Sequence, residues 1–341
     1  MGLKKESGIK IGLGTPGPRN LITDVPGVKV GHVTVRDGAD INTGVTAILP
    51  HEGNMFQDKV MAASCVINGF GKTMGLVQVE ELGTIETPII MTNTLSIGTA
   101  ANALIKYMLQ QNEDIGVKTG TVNPLVCECN DGTLNDIRGL HVTEEHVFQA
   151  LANCGEEFEE GVVGSGTGMC CLGLKGGIGS ASRIVKLDDK EYTVGALVMS
   201  NFGGAGRLMI EGRHMGQEIK DKLEAQQDKG SIIMLIATDI PLSERQLKRV
   251  ARRAGVGLAR TGSYYGNGSG DIAIAFTTAN RVPHYSKTAV MDMKMISDNK
   301  IDGVFDATAE AVEVAIISSL YHAETTTGRA GKVKYGLRDF L

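Results

Sequence analysis

Asp221-Lys-Leu-Glu-Ala-Gln-Gln-Asp-Lys-Gly230-Ser231-Ile-Ile-Met-Leu-Ile-Ala-Thr-Asp239 joins a polar, charged stretch to an unbroken apolar run at a single Gly-Ser junction. The run after Ser231 has the length and composition of a strand buried on both faces. Ser231 stands at the mouth of that strand, behind a Gly-ended loop. Attack of its Oγ on the Gly230 carbonyl breaks the peptide bond to give an ester, and hydrolysis of that ester by water would cut the chain and leave a hydroxyl and an α-amine on one residue; Gly at that position tolerates the strained backbone required. An α-amine with a pKa of about 7.7–8.0 is partly unprotonated near neutrality and can act as a base. The dipeptide alone carries little, because Gly-Ser also occurs at Gly164, Gly179, Gly262 and Gly268. On these residues a serine that merely opens a core strand is an equal reading.

The chain around the junction is long enough for a substantial core: 341 residues, 42% of them apolar. A net charge of −5 and the absence of a basic tail leave no electrostatic footprint for nucleic acid. Glycine, at 45 residues, is nearly twice its usual share of roughly 7%, so tight turns and close backbone approach matter more than aromatic packing. Cys127 and Cys129 form a C-x-C pair and Cys170 and Cys171 are vicinal, poor geometry for disulfides, which points to a reducing, cytoplasmic setting. The N-terminus lacks an apolar export segment, and Glu6 stands where a myristoylation signal needs Ser or Thr. No membrane attachment is expected. The apolar stretch 303–324 carries Asp306, Glu310 and Glu313, so it reads as a packed amphipathic helix and not a membrane span.

Strands are expected over 28–35, 45–49, 88–92, 193–199, 231–238 and 272–277, and helices over 97–110, 143–152, 243–260 and 304–322. The third helix opens with a Ser243-x-x-Gln246 capping box, and its arginines read as a solvated face. Strands and helices do not alternate regularly, which favours an α+β layered sandwich over a doubly wound sheet. The polar stretch 217–230 divides the chain into pieces 1–230 and 231–341. The second has too few elements to bury its own faces, so the two pieces should form one intertwined domain.

Several motifs fail. Gly12-x-Gly14-x-x-Gly17 contains Pro16 and is followed by Pro18, so no helix opens there to hold a phosphate. Gly71-Lys72-Thr73 lacks the upstream glycine of a Walker loop, since Val66 occupies that place. Ser7-x-x-Lys10, Lys118-Thr119-Gly120 and Ser297-Asp298-Asn299 occur in the wrong order for a penicillin-binding protein. The seven histidines show no ligand spacing, and none is placed by a motif to complete a Ser-His-Asp triad. Neither metal nor cofactor is expected.

Other groups remain as partners for Ser231. Ser269 and Asp271 lie two apart before an apolar strand, so both side chains point to one face and can form a short relay, although a turn with a strand-capping Asp is the commoner case. Asn201 follows a strand and can present its amide to an oxyanion, or simply form an Asx turn. The Gly-rich segments 164–168 and 175–180 suit a tight active-site wall or a pair of hairpin turns. Glu128 precedes a turn, where it can hold a substrate ammonium or sit in solvent.

Taken in order, Ile22-Thr-Asp-Val-Pro-Gly-Val-Lys-Val-Gly-His32, Gly44-Val-Thr, Asn68-Gly-Phe-Gly71, Asp131-Gly-x-Leu-Asn-Asp136, Gly166-Thr-Gly-Met169, Lys175-Gly-Gly-Ile-Gly179 and Ala237-Thr-Asp239 resemble the DmpA-type L-aminopeptidase/D-Ala-esterase/amidase family, which includes the β-peptidyl aminopeptidases. The resemblance spans about residues 20–325. It implies a four-layer αββα sandwich, Ntn-hydrolase-like but with the distinct DmpA/ornithine acetyltransferase-type connectivity, cut at Gly230-Ser231 and assembled as a homo-oligomer, a tetramer of αβ units. It further implies Ser231 as nucleophile, Asn201 as oxyanion donor, and Ser269 with Asp271 as groups that orient and assist the nucleophile. Glu128 would anchor the substrate's free amine, with Asn130 beside it. Some family members carry Glu at the place of Asp271 and Tyr near the place of Asn130. The expected activity is that of a self-processing serine aminopeptidase or amidase acting on short peptides, amides or esters. An acyltransferase or pantetheine-type amidase on the same scaffold, and a non-catalytic small-molecule-binding protein, are the alternatives.

Overall fold

The structure, a computed structural model, describes residue 3 and residues 8–223 and 229–341, the Lys229 side chain excepted. Glu6 and Ser7 of the N-terminal motifs, and residues 224–228 of the polar stretch, lie outside the described residues. The strands are β1 (Lys29–Asp37), β2 (Ile41–Leu49), β3 (Asp58–Gly69), β4 (Thr84–Ile85), β5 (Ile89–Asn93), β6 (Leu125–Cys129), β7 (Cys170–Cys171), β8 (Leu174–Lys175), β9 (Gly177–Leu187), β10 (Lys190–Asn201), β11 (Lys229–Thr238), β12 (Gly268–Pro283), β13 (Thr326–Thr327) and β14 (Val333–Lys334). The α-helices are α1 (Leu76–Leu82), α2 (Ile97–Gln111), α3 (Glu144–Ala152), α4 (Met215–Ile219), α5 (Glu244–Arg260) and α6 (Asp302–His322).

Two mixed sheets carry the fold, one ordered β1-β2-β5-β6 and the other β4-β3-β12-β11-β10-β9. Neighbours are antiparallel except for the parallel pairs β5-β6 and β11-β12. The apolar run after Ser231 explains the layering. With a side-chain period of two, Ile233 and Leu235 point into a core shared with Ile48, Ile89, Met91 and Cys127 of the smaller sheet. Ile232, Met234 and Ile236 point the other way, onto Leu247, Val250 and Ala254 of α5 and Val312, Ala315 and Ile316 of α6. The smaller sheet's outer face, with Val45, Ala47, Ile90 and Val126, packs on Leu104 of α2 and Val147 and Ala150 of α3. The order is helices, sheet, sheet, helices, the expected αββα sandwich. Each fully buried Ile or Leu contributes up to about 1.5–3 kcal/mol, so the two-faced burial of β11 makes that strand a main support of the fold.

The larger sheet interleaves chain from before and after Ser231, because β11 and β12 lie between β10 and β3. Helix α5 starts as expected: Ser243 Oγ accepts from the Gln246 N–H at 3.3 Å, and Gln246 Oε1 accepts from the Ser243 N–H at 3.2 Å.

Three expectations change. Helix α6 is buried almost all round and is not amphipathic, because it lies between the β9-β10 face and α5; its Glu310 meets Arg183 at 3.0 Å. The polar stretch is not all linker, since α4 and the following 3-10 turn reach Lys222. The strand begins before Ser231, which is the third residue of β11. Strands β3, β6 and β9 were not expected; Gly, Ser, Lys and Cys interrupt their apolar pattern, and tertiary pairing supplies what periodicity lacks.

Candidate active site

The ends of β6 and β10 meet the starts of β11 and β12 at one edge of the sandwich. Asn201, the last residue of β10, is the register partner of Ser231 on β11. On the other side of β11, the parallel register sets Gly230 beside Ser269 and Ile232 beside Asp271. The sheet therefore places a side-chain amide and a second hydroxyl on opposite flanks of Ser231, although they are distant in the chain.

Ser231 is buried, and its Oγ donates to the Gly230 carbonyl oxygen at 2.6 Å. The hydroxyl thus lies against the carbonyl that self-cleavage would attack. A Cβ on residue 230 would overlap the Asn201 carbonyl oxygen, so glycine is required by the close passage of β10.

Asn201 has both ends of its amide held. Oδ1 accepts from the Cys170 N–H at 2.9 Å, and Nδ2 donates to the Asn130 carbonyl at 3.0 Å. The reversed amide would set oxygen against oxygen and N–H against N–H, so these partners fix its orientation. Nδ2 carries two hydrogens; Asn130 takes one, and the other is available to the cavity that Asn201 lines.

Ser269 Oγ donates to Asp271 Oδ1 at 2.8 Å, and both residues are buried. The side chains share a face, as an extended backbone demands. The short Asp271 carboxylate reaches the hydroxyl. Asn68, opposite Asp271 on β3, donates from Nδ2 to the carbonyls of Gly266 at 2.9 Å and Ser269 at 2.5 Å, pinning the turn that presents Ser269.

Glu128 is in β6 and only 2% exposed, not a solvated loop acid. Its Oε1 accepts from the Lys72 N–H at 2.8 Å and its Oε2 from the Thr94 hydroxyl. Asn130, just beyond the strand, is exposed, and its side-chain oxygen accepts from the Gly132 N–H at 2.9 Å.

A cavity of about 590 Å³ opens over these groups, lined by Ser231, Gly230, Asn201, Glu128 and Asn130. Ser269 and Asp271 stand behind the nucleophile and do not line it. Sequence reading missed the rest of the wall, formed by Phe70, Lys72, Thr94, Gly132, Thr133, Ile137 and Gly268. The Asn68-Gly-Phe-Gly71 and Asp131-Gly motifs were the available signals for its two sides. No histidine lines the cavity among the described residues. Burial pushes the thiols of Cys127 and Cys171 up to about 12, leaving them poor nucleophiles.

Among the described residues no group of three His, Cys, Asp or Glu side chains could hold a metal ion, and no helix is long and apolar enough to cross a membrane. The arrangement can hold an ammonium at Glu128, place a carbonyl between Ser231 Oγ and Asn201 Nδ2, and stabilise an oxyanion there.

The chain is similar to known proteins over nearly its whole length. The model of peptidase family S58 matches residues 20–334. A beta-peptidyl aminopeptidase, BapA of Sphingosinicella microcystinivorans, is 38% identical over an alignment covering 93% of this chain and 85% of that protein. Among solved structures, the PH0078 protein from Pyrococcus horikoshii OT3 is 59% identical with a TM-score of 0.95, covering 98% of this chain and 95% of that one. The L-aminopeptidase D-Ala-esterase/amidase of Ochrobactrum anthropi, described as a prototype for the serine aminopeptidases and a new variant of the Ntn hydrolase fold, is 38% identical with a TM-score of 0.91, covering 98% and 94%. The αββα sandwich described above is therefore of the Ntn-hydrolase kind.

Proposed function

The chain belongs to peptidase family S58, and from that membership we propose that it is a self-processing serine aminopeptidase that releases N-terminal residues from short peptides, amides or esters. The observation that carries the reading is the convergence of Ser231, Asn201 and buried Glu128 on one cavity, with the Ser269-Asp271 pair behind Ser231. Cutting at Gly230-Ser231 makes Ser231 N-terminal and divides the chain into pieces 1–230 and 231–341, which stay joined through the β10-β11 ladder.

In the reaction, Glu128 binds the substrate ammonium and brings the first carbonyl to Ser231. The free α-amine of Ser231 takes the Oγ proton, with the Ser269 hydroxyl, oriented by Asp271, beside it. Oγ bonds to the carbonyl carbon, and the oxyanion formed accepts a hydrogen bond from Asn201 Nδ2. Collapse breaks the bond to the leaving amine, which departs with the proton. Water then enters by the same route and hydrolyses the ester to Ser231. Asn201 and Ser231 perform the first such attack on the chain's own Gly230 carbonyl.

Buried Glu128 favours a substrate with a free amine over the acyltransferase or pantetheine-type amidase reading, which has no use for that anchor. We further infer a cytoplasmic homo-oligomer; exposed Val290, Met291, Met293 and Met295 supply apolar surface for contact between copies. The test is the intact mass of wild type beside Ser231→Ala. Wild type should resolve into two pieces, while the variant should stay at 36.1 kDa and be inactive towards free-amine substrates. A folded wild-type chain that stays whole on prolonged incubation rejects self-processing. N-acylated substrates cleaved as fast as free-amine ones reject the aminopeptidase assignment.

A further inference from the structure

Lys175 is fully buried, and its Nζ donates to the carbonyls of Gly166 at 3.1 Å, Met169 at 2.7 Å and Gly176 at 2.7 Å. Carbonyls only accept, so three of them around one nitrogen call for three N–H donors, those of an ammonium. A charge removed from water in this way is costly, and fixing a loop alone does not require one. What the charge faces supplies a reason. The Met169 carbonyl belongs to the same peptide unit as the Cys170 N–H, and that N–H donates to Asn201 Oδ1 at 2.9 Å.

The three groups form one directed chain: ammonium to the Met169 carbonyl, Cys170 N–H to Asn201 Oδ1, and Asn201 Nδ2–H to the cavity. A cation at its head polarises each hydrogen bond in the same sense and leaves the terminal N–H more positive. We propose that Lys175 is a positioning residue for oxyanion stabilisation, acting on Asn201 through the Met169–Cys170 peptide. This rests on the serine aminopeptidase reading above and adds to it the group that sets the strength and direction of the oxyanion donor.

The charged and titratable groups acting on Lys175 are Cys170 and Cys171 of β7, Arg36 of β1 and Asp131 after β6. Burial outweighs them and pulls its pKa down to about 7. The charge is therefore present below that pH and lost above it, and oxyanion stabilisation should fall as pH rises.

The test compares full-length Lys175→Met with wild type and Ser231→Ala at pH 6.5, following both chain cutting and turnover of a free-amine amide substrate. Lys175→Met should keep the wild-type circular dichroism spectrum and a KM within about threefold, while the cutting rate and kcat fall about 10- to 100-fold, as for partial loss of an oxyanion donor. The advantage of wild-type kcat over that of the variant should shrink as pH rises through about 7, on top of the rise that both share from deprotonation of the Ser231 amine. A folded variant within twofold of wild type in both rates, beside an inactive Ser231→Ala, overturns the role of Lys175 and leaves the serine reading standing. Activity persisting in Ser231→Ala overturns the serine reading itself. If Lys175→Met does not fold, Lys175→Gln takes its place, and a folded Lys175→Gln within twofold of wild type in both rates overturns the proposal.

Discussion

Asn201 and Ser231 are register partners across the β10-β11 ladder, so the proposed oxyanion donor and the proposed nucleophile are fixed relative to each other by sheet hydrogen bonds and not by loops. The Asn201 amide is held at both ends, which leaves it little rotation to lose when charge develops. Asn201→Ala should therefore lower kcat about 10²–10³-fold with KM changed only a few-fold. Steady-state kinetics on cut enzyme, or the cutting rate if the variant does not mature, is the measurement; a kcat within threefold of wild type excludes Asn201 as the donor.

Glu128→Gln keeps an acceptor for the Lys72 N–H and removes the charge. The variant should fold, and kcat/KM for free-amine substrates should fall about 10- to 100-fold, in line with loss of a charge-assisted contact of about 1.5–3 kcal/mol. Substrates without an amine should be affected least. Equal losses for both classes would show that Glu128 acts structurally.

Asp271→Asn leaves size and burial nearly unchanged but removes the carboxylate that accepts from Ser269 Oγ. Loss of an assisting proton-transfer group predicts a kcat lower by about 10²–10⁴-fold with modest change in thermal stability. A variant with wild-type kcat would separate the Ser269-Asp271 pair from the chemistry.

Glu160 does not line the cavity; its side chain is fully buried, with Oε1 accepting from the Ser180 N–H and from Ser318 Oγ, both at 2.7 Å. Burial raises its pKa to about 7, whereas an unfolded Glu titrates near 4.3. The native state thus binds the extra proton between those values, so this contribution to stability is complete below about pH 4.3 and is lost as pH rises through about 7. Glu160→Gln keeps the acceptor and should flatten that decline. Urea midpoints at pH 5 and pH 7.5 check it: equal differences in the two proteins reject the assignment.

Legibility followed the length and regularity of the pattern. Strand β11 was readable because six apolar residues in a row have no other economical place, and α5 because its capping box and 3.6-residue spacing agree. Strands β3 and β9 were not, since Lys59, Cys65, the glycines and Arg183 break the alternation, and their pairing with β12 and β10 is what makes them strands. Helix α6 looked amphipathic from its three acids; Glu310 is instead buried against Arg183 and the Leu13 and Gly14 N–H groups.

For the site, local order was enough to place Ser269 and Asp271 on one face, because two residues in an extended chain always return to the same side. The sequence alone also singled out the Gly230-Ser231 junction and, through its ordered motifs, the family. Only the tertiary structure could bring Glu128 to the cavity, set Asn201 opposite Ser231, and link Lys175 to that amide through one peptide. Those relations join residues tens to more than a hundred positions apart, and they depend on strand register and on a buried hydrogen-bond chain, neither of which leaves a period or a spacing in the sequence.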